Sequence, residues 1–240
     1  MYLIKMSNEN ILEKQGYVFL KHVFEREVLL NFNNNINQYF DKYGIFFLLN
    51  KRIDYNNDIF YINNTYSQLD NFYKIQYYRI PVINNRTFQD AKINSGIIDI
   101  YNFDKLFPEV YEIFRLETLL TVLEKLSGIK WKLFRTNLQI HNNVKNPMSF
   151  HIDNYGTMNI KITIYLTDIP TNEDGACSYI EGTHIRDNSN RVKSINKENT
   201  KYFCGEIGDL LISYQNGFHR KLPQLNNTVN SFIVFNFVPL

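Results

Sequence analysis

The hydrophobic pattern changes its period near residue 129, and the two halves of the chain predict different structures. Apolar residues recur every three or four positions in the first half, which predicts amphipathic helices. We expect helices over 7–14, 25–43 and 108–126, and a short apolar strand over 17–20. The intervening segment 45–107 is aromatic and mixed in period, and there we expect irregular structure with one or two short helices.

From residue 129 apolar and polar residues alternate, which predicts β-strands with one apolar face. The segment 134–141 carries Arg135, Asn137, Gln139 and His141 on its polar face, and 159–167 carries Lys161, Thr163 and Tyr165. Further strands are expected over 149–153, 177–181, 202–204, 209–214 and 230–238. Seven or eight short strands separated by turns predict a sandwich or barrel. The polar strand face of such a barrel faces either solvent or a lined cavity, and Thr163 and Tyr165 beside Lys161 favour a lined cavity.

Length and charge narrow the class of protein. The 240 residues are enough for one globular domain, 1–240, with a helical half over 1–128 and a β-barrel half over 129–240. A net charge of +2 gives no strong electrostatic case for nucleic acid or an anionic membrane as a partner. The chain starts without an apolar run of the signal-peptide type, so we expect a cytoplasmic protein. Its oligomeric state cannot be read from these features.

The strongest chemical signal is a His-x-Asp pair, His151 and Asp153, in the strand half of the chain. Residues two apart on a strand point to the same face, so an imidazole nitrogen and a carboxylate oxygen lie side by side. His219, just after the predicted strand 209–214, is the best third ligand. Two histidines and one carboxylate leave coordination positions open and suit non-haem Fe(II) oxygen chemistry.

With these residues in place, the chain resembles the phytanoyl-CoA dioxygenase-like family of Fe(II)/2-oxoglutarate oxygenases. Five segments are similar to that family's motifs and stand in its order: 12–18, 150–155, 164–176, 181–184 and 208–219. The resemblance covers residues 11–43 and about 130–238 and leaves out 45–107. It implies a mainly β, α+β fold, a double-stranded β-helix of the jelly-roll or cupin-like type, with the N-terminal helices packed on its outside.

The resemblance also implies a function. His151, Asp153 and His219 would bind Fe(II), 2-oxoglutarate would serve as cosubstrate, and dioxygen would be the oxidant. Oxidative decarboxylation of 2-oxoglutarate then drives hydroxylation of a C–H bond in a small-molecule or carrier-bound substrate. Halogenases of this fold lack the carboxylate ligand, so the presence of Asp153 favours hydroxylation or a related desaturation.

One part of the family pattern is missing. The family's cosubstrate arginine lies about eleven residues after the second histidine, and Asn230 stands at that position here. An unpaired buried carboxylate is costly, so 2-oxoglutarate needs another cation. Arg135, Lys161 and Lys221 are the candidate substitutes, and Asn137, Thr163 and Asn230 are candidate polar contacts to the cosubstrate.

The missing arginine leaves two alternatives to the 2-oxoglutarate hypothesis. In the first, the chain is a non-catalytic member of the fold that kept its metal triad. In the second, it is a metal-dependent oxygenase or isomerase that uses no 2-oxoacid. The discriminating feature is whether a basic side chain enters the cavity. If Arg135, Lys161 and Lys221 all point to solvent, the 2-oxoglutarate hypothesis fails.

Overall fold

A computed structural model describes residues 11–42, 60–63, 82–85, 96–153, 158–185 and 197–240. Its helices are α1 (Ile11–Gln15), α2 (Arg26–Lys42), α3 (Val110–Ile113) and α4 (Leu116–Ser127). The start of the helix predicted over 7–14 lies outside the described residues. In α2 the buried stripe is Leu29, Phe32, Ile36 and Phe40. Val28, the apolar residue just before Leu29, is 44% exposed. Among the described helices none is long and apolar enough to cross a bilayer.

The single helix predicted over 108–126 is wrong, because the chain breaks it between α3 and α4. Arg115 sits at the break with a left-handed backbone (φ 49°). This turn sends Phe114 into the core, where its ring packs edge-on against Phe24 and Phe32 at 5.3 and 5.7 Å. In a continuous helix Phe114 would point away from the face that carries Leu119 and Leu123.

Two β-sheets form the rest of the described structure. The strands are β1 (Tyr17–Leu20), β2 (Phe60–Asn63), β3 (Val82–Asn85), β4 (Ile97–Tyr101), β5 (Trp131–Asn142), β6 (Ile160–Tyr165), β7 (Cys177–Ile180), β8 (Thr200–Phe203), β9 (Leu210–Tyr214), β10 (His219–Lys221) and β11 (Val229–Pro239). The large sheet has the strand order β1-β9-β6-β11-β5-β4-β3-β2, and its strands are antiparallel except for the β2–β3 pair. The small sheet has the order β10-β7-β8.

The prediction for 45–107 is wrong where the structure describes that segment. It contains β2, β3 and β4, which extend the large sheet beyond β5, and one 3-10 turn, Phe103–Lys105. The strand β4 pairs with β5 from Ile97 to Tyr101 and is buried on both faces. Its sequence, Ile-Ile-Asp-Ile-Tyr, therefore lacks the clean alternation that marks a strand with one exposed face. The remainder of 45–107 lies outside the described residues.

The predicted strand over 149–153 is reduced to a single bridge between His151 and His219. The other predicted strands of the second half are present within three residues of their expected ends. The three-residue strand β10, which carries His219, was not predicted because it is too short to show a period.

The alternating strands divide the molecule into a core and a cavity. The apolar face of the large sheet packs against the helices and buries Ile160, Ile162, Ile164, Ile233 and Phe235. Each such side chain contributes about 1.5–3 kcal/mol by leaving water. The polar face of the same strands looks toward the small sheet, and the predicted lined cavity lies between the two.

Candidate metal centre

Three side chains that could bind a metal meet at the β10 edge of the small sheet: His151, Asp153 and His219. The backbones of His151 and His219 exchange two hydrogen bonds of 3.0 Å, each N–H donating to the other residue's carbonyl. Directly paired residues of an antiparallel bridge point to the same face, so the two imidazoles lie together, with ring centroids 4.7 Å apart. The Asp153 N–H donates to the Gln215 carbonyl (3.0 Å), which holds Asp153 on that face.

The distances within this triad suit a metal ion. Asp153 Oδ1 lies 3.4 Å from His151 Nε2, and Asp153 Oδ2 lies 3.2 Å from His219 Nε2. One ligand atom from each residue lies within 4.8 Å of the others. An octahedral ion with bonds of about 2.1 Å holds neighbouring ligand atoms about 3 Å apart. The predicted triad residues are therefore brought together as such a site requires.

Both histidines present the correct nitrogen. His151 Nδ1 lies 2.9 Å from the Ser149 carbonyl and His219 Nδ1 lies 2.9 Å from the Gly217 carbonyl. A carbonyl oxygen only accepts, so Nδ1 carries the proton in each neutral ring and the lone pair sits on Nε2. Hydrogen bonds of this kind orient metal-binding histidines in proteins. The donor set thus fits a divalent transition metal without rearrangement of either imidazole.

The ammonium of Lys161, on β6, also enters the triad. It donates to Asp153 Oδ2 at 2.7 Å and lies 2.8 Å from His219 Nε2. Burial raises the pKa of Asp153, but the Lys161 ammonium outweighs it and holds that pKa well below its usual range. Burial, helped by the positive charge of Lys161, lowers the pKa of His219 and keeps its ring neutral. Both groups are therefore in the protonation state that a metal ligand needs.

Behind the triad lies a cavity of about 890 Å³. The large sheet contributes three rows of side chains to it, because directly opposed residues of neighbouring strands share a face. The outermost row is Arg135, Asn236, Lys161 and Ser213. The next is Asn137, Val234, Thr163 and Leu211, and from the third row only Gln139 lines the cavity. We call the end of the cavity at Arg135 the outer end, and the end at Lys221, over the Phe232 ring, the inner end.

Lys221 is the basic residue at the inner end. It lies two positions after His219 on β10, on the same face, opposite Cys177. Its Nζ sits 3.3 Å from the centroid of the Phe232 ring and is buried without a hydrogen-bond acceptor among the described residues. Burial lowers the pKa of Lys221, while the neighbouring Cys177 raises it in part.

Arg135 is the basic residue at the outer end. Its guanidinium carbon lies 4.7 Å from the centroid of the Tyr101 ring and 5.9 Å from that of Phe134. Its Nε and Nη1 are buried and have no hydrogen-bond acceptor in the part of the chain that the structure describes. Burial lowers the pKa of Arg135, and the Tyr101, Asp99 and Asp153 side chains oppose that shift. All three candidate cations thus enter the cavity.

Two of the three candidate polar contacts line the cavity, and the third does not. Asn137 and Thr163 line the cavity and are buried, at 3% and 4% exposure. Asn230 does not line it: its Nδ2 donates to the Asp174 carbonyl at 2.6 Å, beside the Gly175 turn. The position of the expected arginine is therefore used to hold a turn of the fold.

Sequence reasoning missed several cavity residues. Tyr179 lies opposite His219 on β7, and its ring stacks on the His219 ring at 6.4 Å. The Gln215 side chain donates to Asn236 Oδ1 at 2.9 Å beside the triad. The alternation of β11 places Asn236 on the inward face, and this signal was available in the sequence. Gln215 lies in a turn, where no period indicates the direction of its side chain.

Solved structures with the same fold were found for this chain. It is similar to the non-heme alpha ketoglutarate dependent carbocyclase SnoK from nogalamycin biosynthesis, with 14% identity, TM-score 0.65, and coverage of 98% of this chain and 84% of that one. It is similar to HygX from Streptomyces hygroscopicus, solved with nickel and 2-oxoglutarate bound (12% identity, TM-score 0.64, coverage 98% and 87%). It is also similar to EctD from S. alaskensis, solved with bound Fe (11%, 0.67, 98% and 77%). No protein-family model and no curated protein match the sequence.

Proposed function

We propose that this protein is an Fe(II)/2-oxoglutarate-dependent dioxygenase that hydroxylates a C–H bond of a small-molecule or carrier-bound metabolite. The observation that carries the proposal is the triad of His151, Asp153 and His219 facing a cavity that holds the buried ammonium of Lys221, which has no hydrogen-bond acceptor among the described residues. The fold likeness to structures that hold iron or nickel and 2-oxoglutarate supports it. Retention of the Asp153 carboxylate favours hydroxylation or desaturation.

The proposed architecture is a double-stranded β-helix. Apart from β7 and β8, successive strands from β5 onward alternate between the sheets: β5 is in the large sheet, the His151 bridge joins the small one, and β6 returns to the large one. The chain then runs through β7 and β8 in the small sheet, β9 in the large, β10 in the small and β11 in the large. This alternation is what the resemblance to the phytanoyl-CoA dioxygenase-like family predicts, and membership of that family is part of the proposal.

In this proposal His151 Nε2, Asp153 and His219 Nε2 bind Fe(II). The bound iron and 2-oxoglutarate supply the oxidative chemistry, and the protein supplies binding and orientation. The Ser149 and Gly217 carbonyls keep both imidazoles in the ligating tautomer. Three protein ligands on one side leave the cavity side for cosubstrate and dioxygen.

We assign Lys221 as the residue that binds the far carboxylate of 2-oxoglutarate. It projects from the same strand face as His219, lies deeper in the cavity, and has a buried Nζ with no acceptor among the described residues. Lys161 is less suited, because its ammonium already contacts Asp153 and His219. Arg135 lies at the opposite end of the cavity. Thr163 and Asn137, in the row between the two ends, are proposed polar contacts.

The test is an anaerobic titration of the purified protein with Fe(II) and then with 2-oxoglutarate, following the weak visible charge-transfer band of the chelate. We expect a saturable band. His219→Gln should lower metal affinity at least about 100-fold, since it removes a direct ligand. The matched control His22→Gln should not, because the His22 side chain is 70% exposed and remote from the triad.

Lys221→Met distinguishes the binding of the cosubstrate from the binding of the metal. It should leave Fe(II) affinity within a small factor of wild type and weaken 2-oxoglutarate by about 30-fold or more, as loss of a buried charge partner costs about 2 kcal/mol or more. Bound iron without any band in the wild-type protein would contradict the proposal. That result would favour the alternative in which the chain is a metal-binding member of the fold without 2-oxoglutarate, as Asn230 suggests.

A further inference from the structure

The cavity holds more positive than negative side chains. Its basic residues are Arg135, Lys161, Arg220 and Lys221, and its acidic ones are Asp99 and Asp153. Asp153 is paired with Lys161 and belongs to the triad, and Asp99 accepts a hydrogen bond of 2.8 Å from Gln139. With Lys221 assigned to the cosubstrate, Arg135 remains as a cation at the other end of the same cavity.

Arg135 is held as a binding group rather than as part of an ion pair. Its guanidinium lies over the Tyr101 ring, and no carboxylate among the described residues comes within salt-bridge distance of it. Nε and Nη1 are buried and find no acceptor among the residues that the structure describes. A buried charged donor without an acceptor is costly. Such a group is therefore typical of a site in which a ligand supplies the missing acceptor. The planar fork of an arginine matches a carboxylate or phosphate, with two parallel hydrogen bonds.

The position of Arg135 relates it to the triad. Arg135 is opposite Asn236, which is in turn opposite Lys161, whose ammonium contacts Asp153. Two strand spacings, about 10 Å, therefore separate the backbones of Arg135 and Lys161. The outer end also carries Phe134 and Met148, which are 43% and 39% exposed and mark the opening of the cavity. A molecule that enters here meets Arg135 before it reaches the metal ligands.

We propose that Arg135 binds an anionic group, a carboxylate or a phosphate, of the primary substrate and directs the rest of that molecule toward the triad. This inference rests on the proposed function, because it takes the inner end for 2-oxoglutarate. It defines the substrate class as anionic molecules whose reacting carbon lies several bonds from the charged group. The faces of Tyr101 and Phe134 favour a flat or apolar portion next to that anion.

The experiment uses benzoate and inorganic phosphate as anionic probes and benzamide as the neutral match of benzoate. Each is titrated calorimetrically into the full chain loaded with Ni(II) and saturated with 2-oxoglutarate, which blocks the inner end. Wild type should bind benzoate or phosphate at least about tenfold more tightly than benzamide. Arg135→Gln should abolish that preference, and Arg135→Lys should keep part of it. Lys132→Gln, an exposed change on the same strand, should match wild type.

The two anions distinguish the sources of the charge: tighter benzoate indicates a carboxylate substrate, and tighter phosphate a phosphorylated one. If neither benzoate nor phosphate binds more tightly than benzamide, or if the preference survives in Arg135→Gln, the proposal is overturned. So would a tenfold loss of 2-oxoglutarate affinity in Arg135→Gln with none in Lys221→Met. If wild type binds no 2-oxoglutarate but keeps an Arg135-dependent anion preference, the proposed function fails and the anion site stands.

Discussion

The Lys161 ammonium donates a 2.7 Å hydrogen bond to Asp153 Oδ2, inside the triangle of predicted metal ligands. It also lies 2.8 Å from His219 Nε2, the atom whose lone pair a metal would use. The lysine therefore satisfies the same carboxylate and imidazole atoms that a divalent cation requires. Metal binding has to displace this ammonium, and the strength of the site depends on how readily it moves.

Lys161→Met should raise metal affinity. Removing a competing cation from Asp153 and His219 is expected to strengthen Ni(II) or Fe(II) binding about three- to tenfold, or up to about 1.4 kcal/mol. Anaerobic calorimetry at fixed pH measures this change directly. Lys132→Met removes an exposed charge from β5 of the same sheet and should have no effect. Weaker metal binding in Lys161→Met would mean that the ammonium orients Asp153 rather than competing with the ion.

Gly217→Ala should damage the metal site through packing. A Cβ at Gly217 would lie 1.7 Å from the Tyr179 hydroxyl oxygen and 2.2 Å from the ring carbon that bears it. Tyr179 is 1% exposed and stacks on His219, so the ring cannot move away without disturbing the ligand. We expect a loss of metal affinity of about tenfold or more, together with a lower thermal midpoint.

The control for this prediction is Gly182→Ala. Gly182 has a positive φ (73°) and open space around its Cβ position. An alanine there should cost about 1 kcal/mol of stability through backbone strain and leave metal affinity unchanged. If Gly217→Ala behaves like Gly182→Ala in metal titrations, the turn before His219 adapts more easily than the Tyr179 contact implies.

Lys221→Met should stabilise the protein measured without metal or cosubstrate. Replacing a buried, unpaired ammonium with an apolar side chain of similar length removes a desolvation cost, so we expect a gain of about 1–2 kcal/mol in the free energy of unfolding. Urea denaturation of the two proteins at neutral pH measures it. The same variant should lose 2-oxoglutarate binding, so stability and function oppose each other at this residue. A destabilised Lys221→Met would point to a structural role for the ammonium.

The ion pair of Arg26 and Asp168 should make part of the stability depend on pH. Arg26 Nη1 and Nη2 donate to the two carboxylate oxygens of Asp168, at 2.8 and 2.7 Å. These hydrogen bonds hold the pKa of Asp168 below its ordinary 3.8. A depressed folded pKa contributes stability that is complete above the unfolded value and is lost as pH falls through the folded value. Arg26→Gln should therefore destabilise the protein at pH 7 and much less at pH 3.

Urea denaturation at the two pH values tests this prediction. The effect should be small, because both side chains are half-exposed. In an Asp168→Asn background, Arg26→Gln should have the same effect at both pH values. A wild-type effect that does not change between pH 7 and pH 3 would show that the ion pair contributes nothing measurable.

The local period of the chain was enough to predict most of the β half. The alternation in 134–141 and 159–167 predicted which faces of β5 and β6 are polar, and these faces do line the cavity. The spacing of His151 and Asp153 predicted a shared face. In the structure the bridge at His151 and the hydrogen bond from the Asp153 N–H to the Gln215 carbonyl produce that shared face without a continuous strand. The short distance from Asp153 to His219, in contrast, depends on the bridge between two segments far apart in sequence.

The order of residues along the chain defines the chemical groups and the strand face on which each lies. Their neighbours depend on strand pairing and on the turn at Arg115, because no local pattern encodes contacts between distant segments. Pairing places Lys161 against Asp153 and Lys221 against the Phe232 ring, and it directs the Asn230 side chain to the Asp174 turn instead of into the cavity. The three cations that looked equivalent along the chain therefore occupy three different environments: the triad, the inner end and the outer end.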